Sequence, residues 1–143
     1  MVMTAFNIVD GVPCVGNKHL VKDILRDEWG FDGVVISDYN AVCELMTHGV
    51  SANKKECAKL AFDNNCHIEM CSTTYALHLK ELIDEGVFTM EQLDDAVLKV
   101  LELKNKLGLF ENPYRGVSET EESEVFLTEE NRNKSDVEDI MER

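Results

Sequence analysis

Short unbroken apolar runs alternate along this chain with longer stretches in which apolar residues recur at helical spacing. Val2-Met3-Thr4-Ala5-Phe6 reads as a buried strand, and Asp10-Gly11 with Pro13 marks a turn after it. From His19 to Trp29 the residues Leu20, Val21, Ile24 and Leu25 recur as on one helix face, with Trp29 expected in the core and Gly30 as the stop. Gly33-Val34-Val35-Ile36-Ser37 is a second strand. It is apolar throughout rather than alternating, as suits a parallel sheet covered on both faces. Asp38 falls at its C-terminal end. Helical stretches follow over Ala41–Met46 and Asn53–Asn64. Cys66-His67-Ile68-Glu69-Met70 is a third, less apolar strand, and Tyr75–Glu85 is a helix ended by Gly86. Thr89-x-x-Gln92 has the form of a capping box, opening a helix that runs to Leu107 and stops at Gly108. Asn112-Pro113 closes the globular part.

The order is therefore β-α-β-α-β-α, with connections of helix length. Such units build α/β folds with parallel strands and right-handed crossovers. Three strands alone would leave both edges of the sheet bare and apolar. The simplest account is a slice of a larger α/β barrel or sheet.

Composition narrows the partners. The chain has 143 residues, 44% hydrophobic and 29% charged, enough for one domain with a core. Its formal net charge of −14 argues against nucleic acid, where affinity rests on Lys and Arg, and against an anionic membrane surface. From Glu119 to Arg143 there are ten acidic and three basic residues, read as a solvated linker or tail. No apolar run is long enough to span a bilayer, and Met1–Asp10 lacks the form of a signal peptide. The five cysteines are odd in number and none form C-x-x-C. They read as reduced thiols and point to a reducing, cytoplasmic compartment, while the compartment of any longer parent is unknown.

In parallel α/β folds the active site lies at the C-terminal ends of the strands. Phe6-Asn7, Ser37-Asp38-Tyr39 and Glu69-Met70 fall there. Asp38 has the chemistry of a nucleophile, a base or a metal ligand, and equally that of an N-cap for the next helix. Tyr39 suits the wall of a sugar site or a plain rim position. Glu69 is a second carboxylate at a strand end, with alternation able to turn it outward. His48 reads as a surface residue in a loop. Neither standard phosphate-binding loop, nor H-E-x-x-H, nor G-x-S-x-G is present, and no metal or cofactor is expected.

Gly30-Phe31-Asp32-Gly33-Val34-Val35-Ile36-Ser37-Asp38-Tyr39 resembles the nucleophile segment of glycoside hydrolase family 3, G-F-x-G-x-V-x-S-D followed by an aromatic. Met3-Thr4-Ala5-Phe6-Asn7 with Asp10-Gly11-Val12-Pro13 is similar to that family's preceding strand and loop, and Leu25-Arg26-x-Glu28-Trp29 to the helix leading into the nucleophile strand. Leu93-Asp94-x-Ala96-Val97, Leu101-x-x-Lys104 and Gly108–Tyr114 are similar to its closing helix and linker. The resemblance runs in order from Met1 to Leu127.

It implies a partial TIM-like (β/α) barrel made of the last three βα units, over residues 1–116, with residues 117–143 as acidic linker or tail. It implies retaining hydrolysis of terminal β-D-glucosyl or xylosyl residues, with Asp38 as nucleophile and Tyr39 and Phe6 at the substrate. The family often has Tyr where Phe6 stands. Retention needs two carboxyl groups about 5–5.5 Å apart, one ionised and one protonated. The acid/base Glu and the earlier sugar-gripping strands are not identifiable here, so the resemblance implies missing barrel strands and a second domain as partners. The alternative is a non-catalytic truncated or degenerate piece that acts, if at all, by assembly with other chains. Two departures stand out. The family usually reads A-G-x-D-x-x-M around the third strand, so Asn65 takes the place of a Gly and His67 that of an Asp.

Overall fold

The computed structural model describes residues 1–114, 116, 128 and 129. It divides into two compact units, Met1–Leu107 and Gly108–Arg143. In the second unit Asn112 N donates to the Gly108 carbonyl at 3.0 Å, and Tyr114 N to Asn112 Oδ1 at 3.2 Å. The acidic stretch expected over residues 117–143 lies outside the described residues, apart from Thr128 and Glu129.

The first unit is an α/β fold. Strands β1 (Val2–Met3), β4 (Val35–Tyr39) and β5 (Ile68–Met70) form a parallel sheet in the order β1-β4-β5. Val2 pairs with Val35 and Met3 with Ile36 on one side of β4, and Ile36 pairs with Ile68 on the other. The ladder with β5 is irregular between Ile36 and Tyr39, where Tyr39 pairs with Met70. Neighbouring strands are thus successive in the chain, apart from a small hairpin between β1 and β4.

That hairpin differs from the expected single strand over Val2–Phe6. After Thr4 N donates to Ile36 O at 2.9 Å, the chain leaves the sheet. It forms β2 (Ile8–Val9) and β3 (Val12–Pro13), antiparallel to each other. Asp10 and Gly11 both have positive φ, 52° and 82°, as a two-residue turn that matches strand twist requires.

The segment His19–Glu28 is wound as a π-helix, with Trp29 N donating to the Ile24 carbonyl five residues back at 2.9 Å. Val21 is buried, but Trp29 is 69% exposed, which corrects its expected place in the core. The wider winding changes the angular step per residue, so positions spaced for an α-helix no longer share a face.

Four α-helices follow: α1 (Ala41–Thr47), α2 (Lys54–Asp63), α3 (Thr74–Asp84) and α4 (Met90–Lys106). Helix α2 feeds two apolar clusters from two faces. Cys57 and Ala61 pack with Val15, Val42, Leu45 and Cys66. Ala58 and Phe62 pack with Leu79, Leu82, Phe88 and Ala96. Phe62 meets Tyr75 and Phe88 edge-on, with ring centroids 5.8 and 4.9 Å apart. Helix α4 opens with the expected capping box: Gln92 N donates to Thr89 Oγ1 at 3.2 Å, and Thr89 N to Gln92 Oε1 at 2.8 Å.

Helices α1, α2 and α3 end alike. In each, a left-handed residue follows the cap, and the next amide reaches five residues back: Val50 N to Leu45 O, Cys66 N to Ala61 O, and Val87 N to Leu82 O. Gly49 and Gly86 fill the left-handed position in α1 and α3, with φ of 71° and 73°. Asn65 fills it in α2, with φ of 58°. Asn is among the few side chains that adopt this conformation routinely, which explains how the chain keeps the motif without the glycine. Two substitutions test this. Asn65→Gly is expected to raise stability by about 0.5–1 kcal/mol and Asn65→Ala to lower it by about 1 kcal/mol, measured by thermal or urea unfolding.

Candidate active site

The C-terminal ends of β1, β4 and β5 lie side by side, and β4 is central. Its last two residues are Asp38 and Tyr39. Asp38 is half-buried, and its Oδ1 accepts from Tyr39 N at 2.6 Å. Asp38 does not cap the following helix. The N-cap of α1 is Asn40, in the left-handed region at φ 57°, with its amide bonded across to Met70 O at 2.8 Å. Ser37, fully buried, ties the end of β4 to its neighbour. Its hydroxyl donates to the Asp38 carbonyl at 2.9 Å and accepts from Met70 N at 2.8 Å. One hydroxyl therefore joins the two strands beside the carboxylate.

Tyr39 is 62% exposed and Phe6 46% exposed. Each lies three residues beyond the paired Met3 and Ile36, so both aromatic rings belong to the same end of the sheet. Three residues other than glycine hold positive φ at this end: Asn40 at 57°, Cys71 at 65° and Thr73 at 57°. Cys71 and Thr73 each carry a cost of about 1–2 kcal/mol there, Asn40 less, and such strain gathers where a chain must be aimed.

Glu69 is turned to the helix layer. Its Oε1 accepts from Tyr75 N at 2.7 Å, and its Oε2 accepts from Thr74 N at 3.0 Å and from the Thr74 hydroxyl. It therefore closes the N-terminus of α3, where Thr73 makes no side-chain cap. Sequence reading placed Glu69 at a strand end but not in this role. A carboxylate four to six residues ahead of a helix start was the available signal.

The remaining candidates lie elsewhere. His48 is exposed at the C-cap of α1. A groove of about 670 Å³ is at the opposite ends of the strands, lined by Arg26, Phe31, Asn65, His67 and Lys99 among others. It is set apart from Asp38 by the length of β4. In this region His67 Nδ1 accepts from Val35 N at 3.0 Å. Burial, with Arg26 and Lys99 nearby, pushes the imidazole down to about 4. Burial likewise pushes the Cys66 thiol up to about 11, and raises Cys57. Cys57 and Cys66 are buried, Cys71 exposed, and all five thiols are free. Among the described residues there is no group of three or more side chains able to hold a metal ion, and no helix is long and apolar enough to cross a membrane.

Asp38 thus stands at the C-terminal end of a central parallel strand within an α/β fold, with Tyr39 exposed beside it. Residues 1–103 match the Glycosyl hydrolase family 3 N terminal domain, and the chain belongs to this family. It is 38% identical over 131 residues to a periplasmic β-glucosidase of Salmonella typhimurium, covering 92% of this chain and 17% of that protein. A putative β-xylosidase of Formosa agariphila is 30% identical over 98% of the chain, which covers 19% of that protein. The crystal structure of a β-glucosidase from Listeria innocua superposes with a TM-score of 0.86 and 49% identity, over 94% of this chain and 18% of that one. The chain thus spans about a sixth to a fifth of the length of these relatives. The Salmonella protein is named as periplasmic, which does not fit the cytoplasmic reading drawn from the cysteines.

The two strand-end carboxylates are expected to respond differently to neutralisation. Glu69→Gln sets an amide NH₂ among helix N–H donors and should cost about 1–2 kcal/mol in urea unfolding. Asp38→Asn keeps an acceptor for Tyr39 N and should change stability by less than about 0.5 kcal/mol.

Proposed function

We propose that this chain is the nucleophile-bearing end of a retaining β-glycosidase of glycosyl hydrolase family 3, acting on terminal β-D-glucosyl or xylosyl residues. On this reading its sheet is the last three strands of a (β/α) barrel, and Asp38 is the nucleophile. The reading rests above all on Asp38: a carboxylate at the end of the central strand, inside Gly30–Tyr39, in a chain 49% identical to a β-glucosidase.

The chemistry follows from the position. An Asp38 oxygen attacks the anomeric carbon and forms a glycosyl ester, while the bond from that carbon to the leaving oxygen breaks. The leaving oxygen takes a proton from a second carboxyl group. Water then attacks the same carbon, gives up a proton to that group, and releases Asp38. Tyr39 and Phe6 offer aromatic faces to the sugar ring. Tyr39 N, bonded to Asp38 Oδ1, fixes the direction of the carboxylate. The second carboxyl group and the contacts to the sugar hydroxyls come, on this reading, from further barrel strands and a following domain.

Mass spectrometry after incubation with a 2-fluoro-glucosyl substrate carrying an activated leaving group tests the nucleophile. Such a sugar slows hydrolysis of the ester and lessens the need for an acid. One added glycosyl unit on Asp38, absent in Asp38→Asn, is expected. Hydrolysis of an ordinary aryl β-glucoside by the chain alone should be slower than by a full-length family member by at least about 10³-fold, and supplying the remaining barrel strands and second domain in trans should raise it. A second reading has its own support: Asn65 and His67 depart from the pattern that the family resemblance implies around the third strand. A folded chain that takes no label and gains no activity by complementation would decide for this reading, a non-catalytic piece of a β-glycosidase.

A further inference from the structure

We propose that His67 and Arg26 form an acid-sensitive latch on the N-terminal end of β4, in which the neutral imidazole stands in for a main-chain carbonyl and releases the strand when it takes a proton. The two edges of β4 are used differently. Toward β1, the carbonyls of Val34 and Ile36 accept from Val2 N and Thr4 N. Toward β5, Val35 uses both its main-chain groups on a single residue. Its carbonyl accepts from His67 N at 2.9 Å, and its N–H donates to His67 Nδ1 at 3.0 Å. Strand β5 begins only at Ile68, because Asn65 and Cys66 are still closing α2. The ladder therefore offers the imidazole, rather than a carbonyl, to the Val35 N–H. Val35 is 0% exposed, so water cannot replace this bond without opening the sheet.

Arg26 secures the residues just before. Its guanidinium donates to the carbonyls of Phe31 and Gly33, each at 2.7 Å, and lies 5.2 Å from the centre of the Phe31 ring. A Cβ on Gly33 would come within 2.8 Å of that ring. Alternate residues from Phe31 to Val35 are thus held by one arginine and one histidine, three residues ahead of Asp38.

The acceptor role fixes the tautomer: Nδ1 bears no proton and Nε2 does. Protonation would aim an Nδ1–H at the Val35 N–H, donor against donor. It would also add a positive charge beside Arg26 of the π-helix and Lys99 of α4, which lie close enough to disfavour it. Lys22 and Lys104 line the same grooves from those two elements. Three of the acidic groups there face lysines. Asp63, at the end of α2, lies 3.6 Å from Lys22, and Asp32 and Glu102 lie 3.9 and 3.8 Å from Lys99. Asp95 of α4 also lines the larger groove. From α3, Tyr75 faces the histidine, with its hydroxyl donating to Cys66 O at 2.7 Å.

The sign follows from the direction of the shift. The imidazole takes its proton at about 4 in the folded chain, against 6.5 for an ordinary histidine. Its contribution to stability is complete above pH 6.5 and is lost as pH falls toward 4. An aspartate at this position would keep an acceptor for Val35 N and an opposite charge for Arg26 and Lys99, and would not release over that range.

The test is an NMR titration of the whole 143-residue chain, following the His67 ring nitrogens and the Val35 amide, with hydrogen exchange at each pH. The expected result is an Nε2–H tautomer at pH 7 and a His67 midpoint well below 6.5. The Val35 amide shift should follow that midpoint, and its exchange protection should fall by at least about tenfold across it. In His67→Gln, whose carbonyl can accept from Val35 without titrating, the Val35 transition should vanish. A His67 midpoint near 6.5, a Val35 amide unprotected at neutral pH, or a Val35 transition that persists in His67→Gln would each overturn the latch.

Discussion

A central parallel strand must be bonded along both edges before its end can hold a side chain still, and β4 is that strand. Its residues are fixed on one side by β1 and on the other by β5. The bonds on the second side are unusual. At the start of the strand an imidazole takes the place of a carbonyl, and at its end the Ser37 hydroxyl accepts the Met70 amide. Both side chains act where the β5 ladder lacks a regular partner, before Ile68 and across the irregular step to Tyr39. Polar residues are thus built into an otherwise apolar strand for main-chain satisfaction, because an unpaired buried amide costs about 1–3 kcal/mol. The same bonds keep the backbone of Asp38 in one place.

The helical layer serves that strand through α2. One face of α2 packs with α1 and with Cys66 just ahead of β5, and the other with α3 and α4, so a single helix joins both clusters. Where α2 ends, it must turn at once into β5. The left-handed residue at position 65 makes that turn, and the two residues after it bring His67 against Val35. The departures at 65 and 67 are therefore physically linked. The first preserves the turn that aims the second.

Features set by local chemistry were legible in the sequence. The unbroken Val34-Val35-Ile36 run announced a buried parallel strand, Thr89 and Gln92 announced the start of α4, and Gly86 stands where α3 ends. The strand boundary was legible to within two residues, and it places Asp38 at the C-terminal end of β4. Features set by tertiary context were not legible. The two-residue strands around Asp10-Gly11 are too short to carry a periodic signal. The π winding of His19–Glu28, with Trp29 exposed just after it, has no signature in the spacing of apolar residues. The side chain of Glu69 could not be assigned from alternation alone, since the outward face it occupies is also the face that meets the N-terminus of α3.

That last point constrains the chemistry. Retention requires a second carboxyl group that carries a proton when the glycosidic bond breaks, at about 5–5.5 Å from the nucleophile. Glu69 is a carboxylate at the correct end of the sheet, yet both its oxygens already receive hydrogen bonds, from two amides and a hydroxyl at a helix N-terminus. Those three donors tie its carboxylate to the N-terminus of α3 and turn it away from the strand end. On the proposed reading, then, the acid approaches Asp38 from outside this sheet. Asp38 is suited to meet it, because β4 holds the carboxylate half-exposed while Tyr39, beside it, stays open to a ligand.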